Sequence, residues 1–291
     1  MPLGRRTCVW TVPSGMTICL GALCADDDGK AARAVVFAAD QMETLALGPT
    51  IETPVATSKL VQLTPHVIGG LTGWGIPARQ FVSDIAKTAA GLEAPLAPEQ
   101  FARAVASRYQ QDRSLLMERA VFAARGISSA GLYGGTNKDT APHVAAGIDR
   151  EAKDWTPGFE LLLGVADKTD GAHLFGIGNP GVVYPYNPDG YAALGMGALV
   201  ARLAMQEFQH SPSRSLKETI YTAYVATRRA EVTQSVGLGV DVAILTVNGI
   251  RRLGSDDIST LENLRTESEK AYRSKLFGEI AGLTLKTLAT T

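Results

Sequence analysis

Apolar positions fall into short unbroken runs separated by polar turns, and their period changes along the chain. Residues 17–25 are mostly apolar and β-compatible, Asp26, Asp27, Asp28, Gly29 and Lys30 interrupt, and residues 34–39 resume the run. Two such runs around a polar turn predict a hairpin. A second pair, 59–63 and 67–73, flanks the turn Thr64-Pro65-His66 and predicts another. The period then lengthens. Phe81, Ile85 and Ala89 recur every four residues within 77–90, and Phe101, Val105, Tyr109, Leu115, Leu116 and Val121 mark a helix over 97–124. Pro98 suits a first turn, where the missing N–H has no intrahelical acceptor.

Residues 126–157 are rich in Gly, Ser, Thr, Asn and Asp without a clear period, which predicts a long loop or insertion. Strands return at 159–165 and 172–177 around the turn 167–171, and at 182–186 after Gly178-Asn179-Pro180-Gly181. Helices are expected at 197–208 and 215–230, strands at 240–247 and 250–253, and a charged C-terminal helix at 260–286. Segregated runs of strands and helices indicate an α+β protein with antiparallel sheets under helical layers, in contrast to a parallel βαβ sheet.

Composition narrows the function classes. Hydrophobic residues make up 45% of the 291 and charged residues 20%, enough apolar side chain for a sizeable core. The 28 basic and 29 acidic residues balance, so the excess of Lys and Arg that a nucleic-acid surface needs is missing. Cys8, Cys19 and Cys24 are the only cysteines, an odd number that fits no disulfide framework and points to a reducing, cytoplasmic setting. Arg5 and Arg6 before a mildly apolar stretch imitate a signal peptide, but Pro13, Ser14 and Gly15 interrupt it. No run approaches the ~18 to 20 apolar residues of a membrane span.

Four segments, Thr17-Ile18-Cys19-Leu20-Gly21, Phe37-Ala38-Ala39-Asp40, Ser58-Lys59-Leu60 and Leu71-Thr72-Gly73, resemble in order and context the β-type subunits of proteasomes and their bacterial relatives. Residues 159–181, Ala193-Leu194-Gly195-Met196-Gly197 and Val240-Asp241-Val242-Ala243-Ile244 extend the resemblance to about residue 250. It implies the fold of the N-terminal nucleophile hydrolases, a four-layer αββα sandwich of two stacked antiparallel sheets between helical layers. The resemblance makes Thr17 the nucleophile of a threonine peptidase or amidase, with Asp40 orienting Lys59 and the Gly73 amide serving an oxyanion hole. It implies a peptide or protein substrate and a homo-oligomer built as a ring or open ring, and neither a cofactor nor a metal. The residue types suit the chemistry. A threonine hydroxyl is a weak nucleophile, and an α-amine of pKa about 7.7 to 8.0 on the same residue can act as its base. Taken singly, Thr17 is an ordinary strand residue, Asp40 a turn residue, Lys59 a solvated strand end and Gly73 a turn glycine; the ordered set carries the reading.

Three departures stand beside it. Met196 occupies the place of the serine that the family commonly has between two glycines. Glu231 and Ser235 are the nearest substitutes for its later acidic and serine pair. Thr17 gains an α-amine only without residues 1–16, which act as a leader, a propeptide or a mis-assigned start; Met16-Thr17-Ile18-Cys19 looks like the opening of the Anbu-type peptidases. The domain would then be 17–291, with 126–157 inserted and 260–286 appended. The other reading is a catalytically silent scaffold or regulatory subunit, in which Thr17 never becomes a terminus.

Overall fold

A computed structural model describes residues 17–26, 30, 32–46, 50–54, 58–73, 75–90, 96–135, 140–233, 236 and 239–281. The chain divides into two compact units after Arg252.

The first unit is α+β, with two stacked five-stranded antiparallel sheets. Sheet I takes β1 (Cys19–Cys24), β2 (Ala34–Asp40), β10 (Tyr191–Leu194), β11 (Val240–Thr246) and β12 (Gly249–Arg252) in the order β10-β1-β2-β11-β12. Sheet II takes β5 (Leu60–Thr64), β6 (Val67–Gly73), β7 (Phe159–Asp167), β8 (Gly171–Gly178) and β9 (Val182–Pro185) in sequence order. A separate hairpin pairs β3 (Met42–Ala46) with β4 (Thr50–Pro54), where the sequence reading placed no strands.

The unbroken apolar runs have a simple cause. β1 and β2 are buried along their whole length, covered on one face by sheet II and on the other by helices, so neither face needs polar residues. Between the sheets, Cys19, Leu23, Val35 and Phe37 meet Leu60, Ile68, Leu162 and Leu174. Helices α5 (Ala198–Glu207) and α6 (Leu216–Ala230) pack on sheet I. Ser215 and Glu218 form a capping box that starts α6 by satisfying amides with no intrahelical acceptor. Helices α1 (Gly75–Ala90) and α2 (Pro98–Met117) cover sheet II. Phe81, Tyr109 and Phe159 interlock there with ring centroids 5.1 to 5.7 Å apart, each contact adding about 0.5 to 1.5 kcal/mol beyond area burial. The Tyr109 hydroxyl donates to the Phe159 carbonyl at 2.8 Å.

The long loop expected over 126–157 is a correction. The helical path of α2 continues through a π turn (Glu118–Phe122) and a 3₁₀ turn (Ala123–Arg125), and α3 (Ser129–Tyr133) and α4 (Pro142–Asp154) follow. Ser128 caps α3 through the Gly131 amide, and Ile148 and Ala152 of α4, four apart, close over Val121 and Phe122. This small satellite core supplies the burial that the local composition conceals.

The second unit is helix α7 (Ser255–Ala281), 27 residues and so ~40 Å long. It starts five residues before the expected position, because Asp256 and Asp257 suit the positive end of a helix dipole. The remainder of the expected helix, 282–286, lies outside the described residues. No helix among the described residues is long and apolar enough to cross a membrane.

Candidate active site

Thr17, Asp40 and Lys59 come from three different places in the chain and meet at one end of the sandwich. Thr17 stands just before β1, Asp40 ends β2, and Lys59 immediately precedes β5. Each polar side chain thus sits where an apolar strand stops, so the core is not interrupted. β1 pairs with β2 so that Cys19 faces Ala39, which brings Thr17 and Ile18 against the end of β2. Lys59 belongs to the other sheet and reaches across.

One oxygen gathers the group. Asp40 Oδ1 accepts from the Thr17 hydroxyl at 2.7 Å, from the Ile18 amide at 2.9 Å and from Lys59 Nζ at 2.7 Å. Lys59 Nζ also donates to Thr17 Oγ1. Asp40 is 0% exposed, Thr17 3%, and the Lys59 side chain 15%. Burying a carboxylate is costly without charge and hydrogen-bond compensation, and here three donors supply both. The threonine hydroxyl therefore has its proton directed at a carboxylate and a cation against its oxygen, an arrangement that polarises it.

The backbone after Thr17 is fixed as well. Its carbonyl accepts from the Gly197 amide at 3.3 Å. Gly195, at φ +90°, lies so close that a Cβ there would stand 2.2 Å from the same oxygen. Met196 between these glycines is 49% exposed, so the expected departure from a serine sits on the turn that packs against Thr17.

Gly73 closes β6 at the same end of the β5–β6 hairpin as Lys59; the register puts Leu60 opposite Gly70. Its φ of +107° and the Gly158 carbonyl, 2.1 Å from where a Cβ would be, leave room only for glycine. Glu231 caps the end of α6 and pairs with Arg228 at 2.5 Å. Ser235 lies outside the described residues, as do residues 1–16.

Cys19 is a neighbour that no sequence spacing reveals. Burial pushes its thiol up to about 12, with Lys59 pulling the value down and Asp40 raising it further. It therefore stays a protonated thiol near neutral pH. Among the described residues no group of three or more His, Cys, Asp or Glu side chains is gathered for a metal. A cavity of about 530 Å³ lies at the far end of sheet II, around His66, Phe101 and Asp167, and shares no residue with the Thr17 group.

Neither the protein-family models nor the curated proteins contain a match to this chain.

Proposed function

We propose that the chain is a threonine-type N-terminal nucleophile hydrolase that cleaves peptide or amide bonds through an acyl-enzyme, with the proteasome-like sandwich as its scaffold. One observation carries this reading: the buried Thr17 hydroxyl donates to Asp40 Oδ1 and accepts from Lys59 Nζ, which also bonds that carboxylate directly, at one end of two stacked antiparallel sheets. A structural ion pair has no need of a hydroxyl bonded to both of its partners.

In the proposed reaction Thr17 Oγ1 attacks the substrate carbonyl carbon, and its proton passes to the neutral α-amine of Thr17. Lys59 keeps a positive charge beside the developing alkoxide, and Asp40 holds Lys59 in place. The Gly73 amide meets the oxyanion of the tetrahedral intermediate, a contact worth about 3 to 4 kcal/mol in acyl transfer. The protonated amine then returns the proton to the leaving nitrogen as the C–N bond breaks. Water, deprotonated by the same amine, releases the acid and restores Thr17. Copies of the chain would assemble around such a site to confine substrates.

The test compares the 291-residue chain with a form starting at Met16, whose methionine the expression host removes, with intact masses recorded. Short peptide amides should be cleaved by the form that begins at Thr17, with activity rising through about pH 7 to 8 as the amine loses its proton. Thr17→Ala should abolish cleavage. Equal activity in an uncleaved long form would exclude an N-terminal nucleophile. Inactivity of a verified Thr17 terminus would favour the silent scaffold, the reading that Met196 supports because it supplies no hydroxyl.

A further inference from the structure

The Asp40–Lys59 pair is bracketed by a second chain of polar contacts. Gln41, next to Asp40, donates from Nε2 to Asp241 Oδ1 at 3.1 Å. Asp241 Oδ2 pairs with Arg252 Nη1 at 3.6 Å. Arg252 then forks: Nη1 donates to Ser58 Oγ at 2.8 Å, and Nη2 to the Leu60 carbonyl. The Leu60 amide donates back to Ser58 Oγ at 3.0 Å, so Lys59 is the middle residue of a small turn clasped at both ends by one guanidinium. Arg252 ends β12, the edge strand of sheet I, while Lys59 leads into β5, the edge strand of sheet II.

We propose that Arg252 is a positioning residue that ties the two sheet edges together and aims Lys59 at Thr17, with Asp241 as its counter-ion. The inference rests on the hydrolase reading for its catalytic meaning, but the clamp itself is a matter of geometry. Stability gives the clamp no sufficient reason to exist. The Arg252 side chain is 43% exposed and that of Asp241 27%, and ion pairs in such surroundings contribute little to folding. A planar fork, by contrast, holds two acceptors at a fixed spacing, which lysine cannot imitate. Lys59 has four flexible methylenes, so the placement of its backbone decides whether its ammonium reaches both Oγ1 and Oδ1.

The experiment uses the chain beginning at Thr17, as wild type, Arg252→Ala, Arg252→Lys and Asp241→Asn. One measurement is independent of hydrolysis: labelling of Lys59 by an amine-reactive reagent, followed by peptide mass mapping against Lys153 and Lys275 as internal references. Arg252→Ala should raise Lys59 labelling severalfold and leave the references and the thermal midpoint nearly unchanged; Arg252→Lys should recover part of the difference. In the peptide assay kcat should fall about tenfold or more with KM little altered, as expected when a reacting group is slightly misplaced. Unchanged Lys59 labelling in folded Arg252→Ala overturns the clamp, as does a rise in KM at constant kcat. If wild type cleaves nothing while Lys59 labelling still responds, the hydrolase reading falls and the clamp stands. Should Arg252→Ala not fold, Asp241→Asn carries the test, with a smaller rise in labelling expected and no rise overturning the proposal.

Discussion

Two ion-pair clusters in this chain join a basic side chain to carboxylates in different surroundings. On α7, Arg265 bonds Glu262 and Glu269 at 2.6 and 2.8 Å, three and four residues away, with its side chain 21% exposed. At the end of the sandwich, Lys59 bonds Asp40 at 2.7 Å with the carboxylate fully enclosed and a threonine hydroxyl bonded to both. The distances are alike, so length alone says nothing about consequence. The α7 cluster is local and stays in contact with solvent, and either partner can return to water when the other is removed. The buried pair has no such retreat. That asymmetry marks it as a site more than a fastener, since apolar residues would stabilise the same place at less cost.

The comparison can be broken most directly at Lys59. Lys59→Ala removes the cation from the enclosed Asp40 while the Thr17 hydroxyl and Ile18 amide still donate to it, and should lower stability by about 3 kcal/mol, the lower part of the range for a broken buried pair. Chemical denaturation would measure it, and a loss near zero would mean that water reaches Asp40. A smaller effect sharpens the packing contrast. A Cβ on Gly70 would stand 2.1 Å from Cys19 Sγ in the wall of the site, whereas Gly278 on α7 meets nothing within 4 Å. Gly70→Ala should therefore cost about 1 to 3 kcal/mol. Adding Cys19→Ala should recover part of that loss. Gly278→Ala should stabilise its helix by about 0.5 kcal/mol, less than the full helix-propensity difference because the position is near the helix end. The smallest effect belongs to Arg265→Ala, about 0.5 kcal/mol or less and diminished further in 1 M salt, read as a shift in denaturation midpoint.

The two clusters also differ in how far a sequence reveals them. Glu262, Arg265 and Glu269 are visible as helical spacing. Asp40 and Lys59 are visible only as polar residues terminating apolar runs, and Thr17 joins them because hairpin pairing can be inferred from the turn 26–30. Their separations of 19 and 42 residues carry no periodic signal, so their meeting had to come from an ordered resemblance and now has a geometry. Arg252 and Asp241 left no trace at all, because their role arises where two sheet edges approach. The β3–β4 hairpin mixes Glu and Thr with its apolar residues, and β10 is a four-residue segment enclosed by Gly190 and Gly195, so neither reads as a strand. Helix α4 was hidden by the Gly- and Asn-rich stretch before it, although Pro142 at its start and the Ile148–Ala152 spacing were the available signals.

The place of β2 has a consequence in time. β2 lies between β1 and β11, and Asp40 faces Val240 across the second of those pairings, two hundred residues further along the chain. At ~5 to 20 residues per second, a ribosome needs roughly ten to forty seconds to go from one to the other. For most of that interval Thr17, Asp40 and Lys59 have been synthesised, yet β11, the second neighbour of β2, has not. The Thr17 hydroxyl therefore cannot gain its finished surroundings on a half-made chain. The same delay leaves the apolar edge Ala34–Asp40 unpaired. An edge of that kind invites pairing with other chains until β11 covers it.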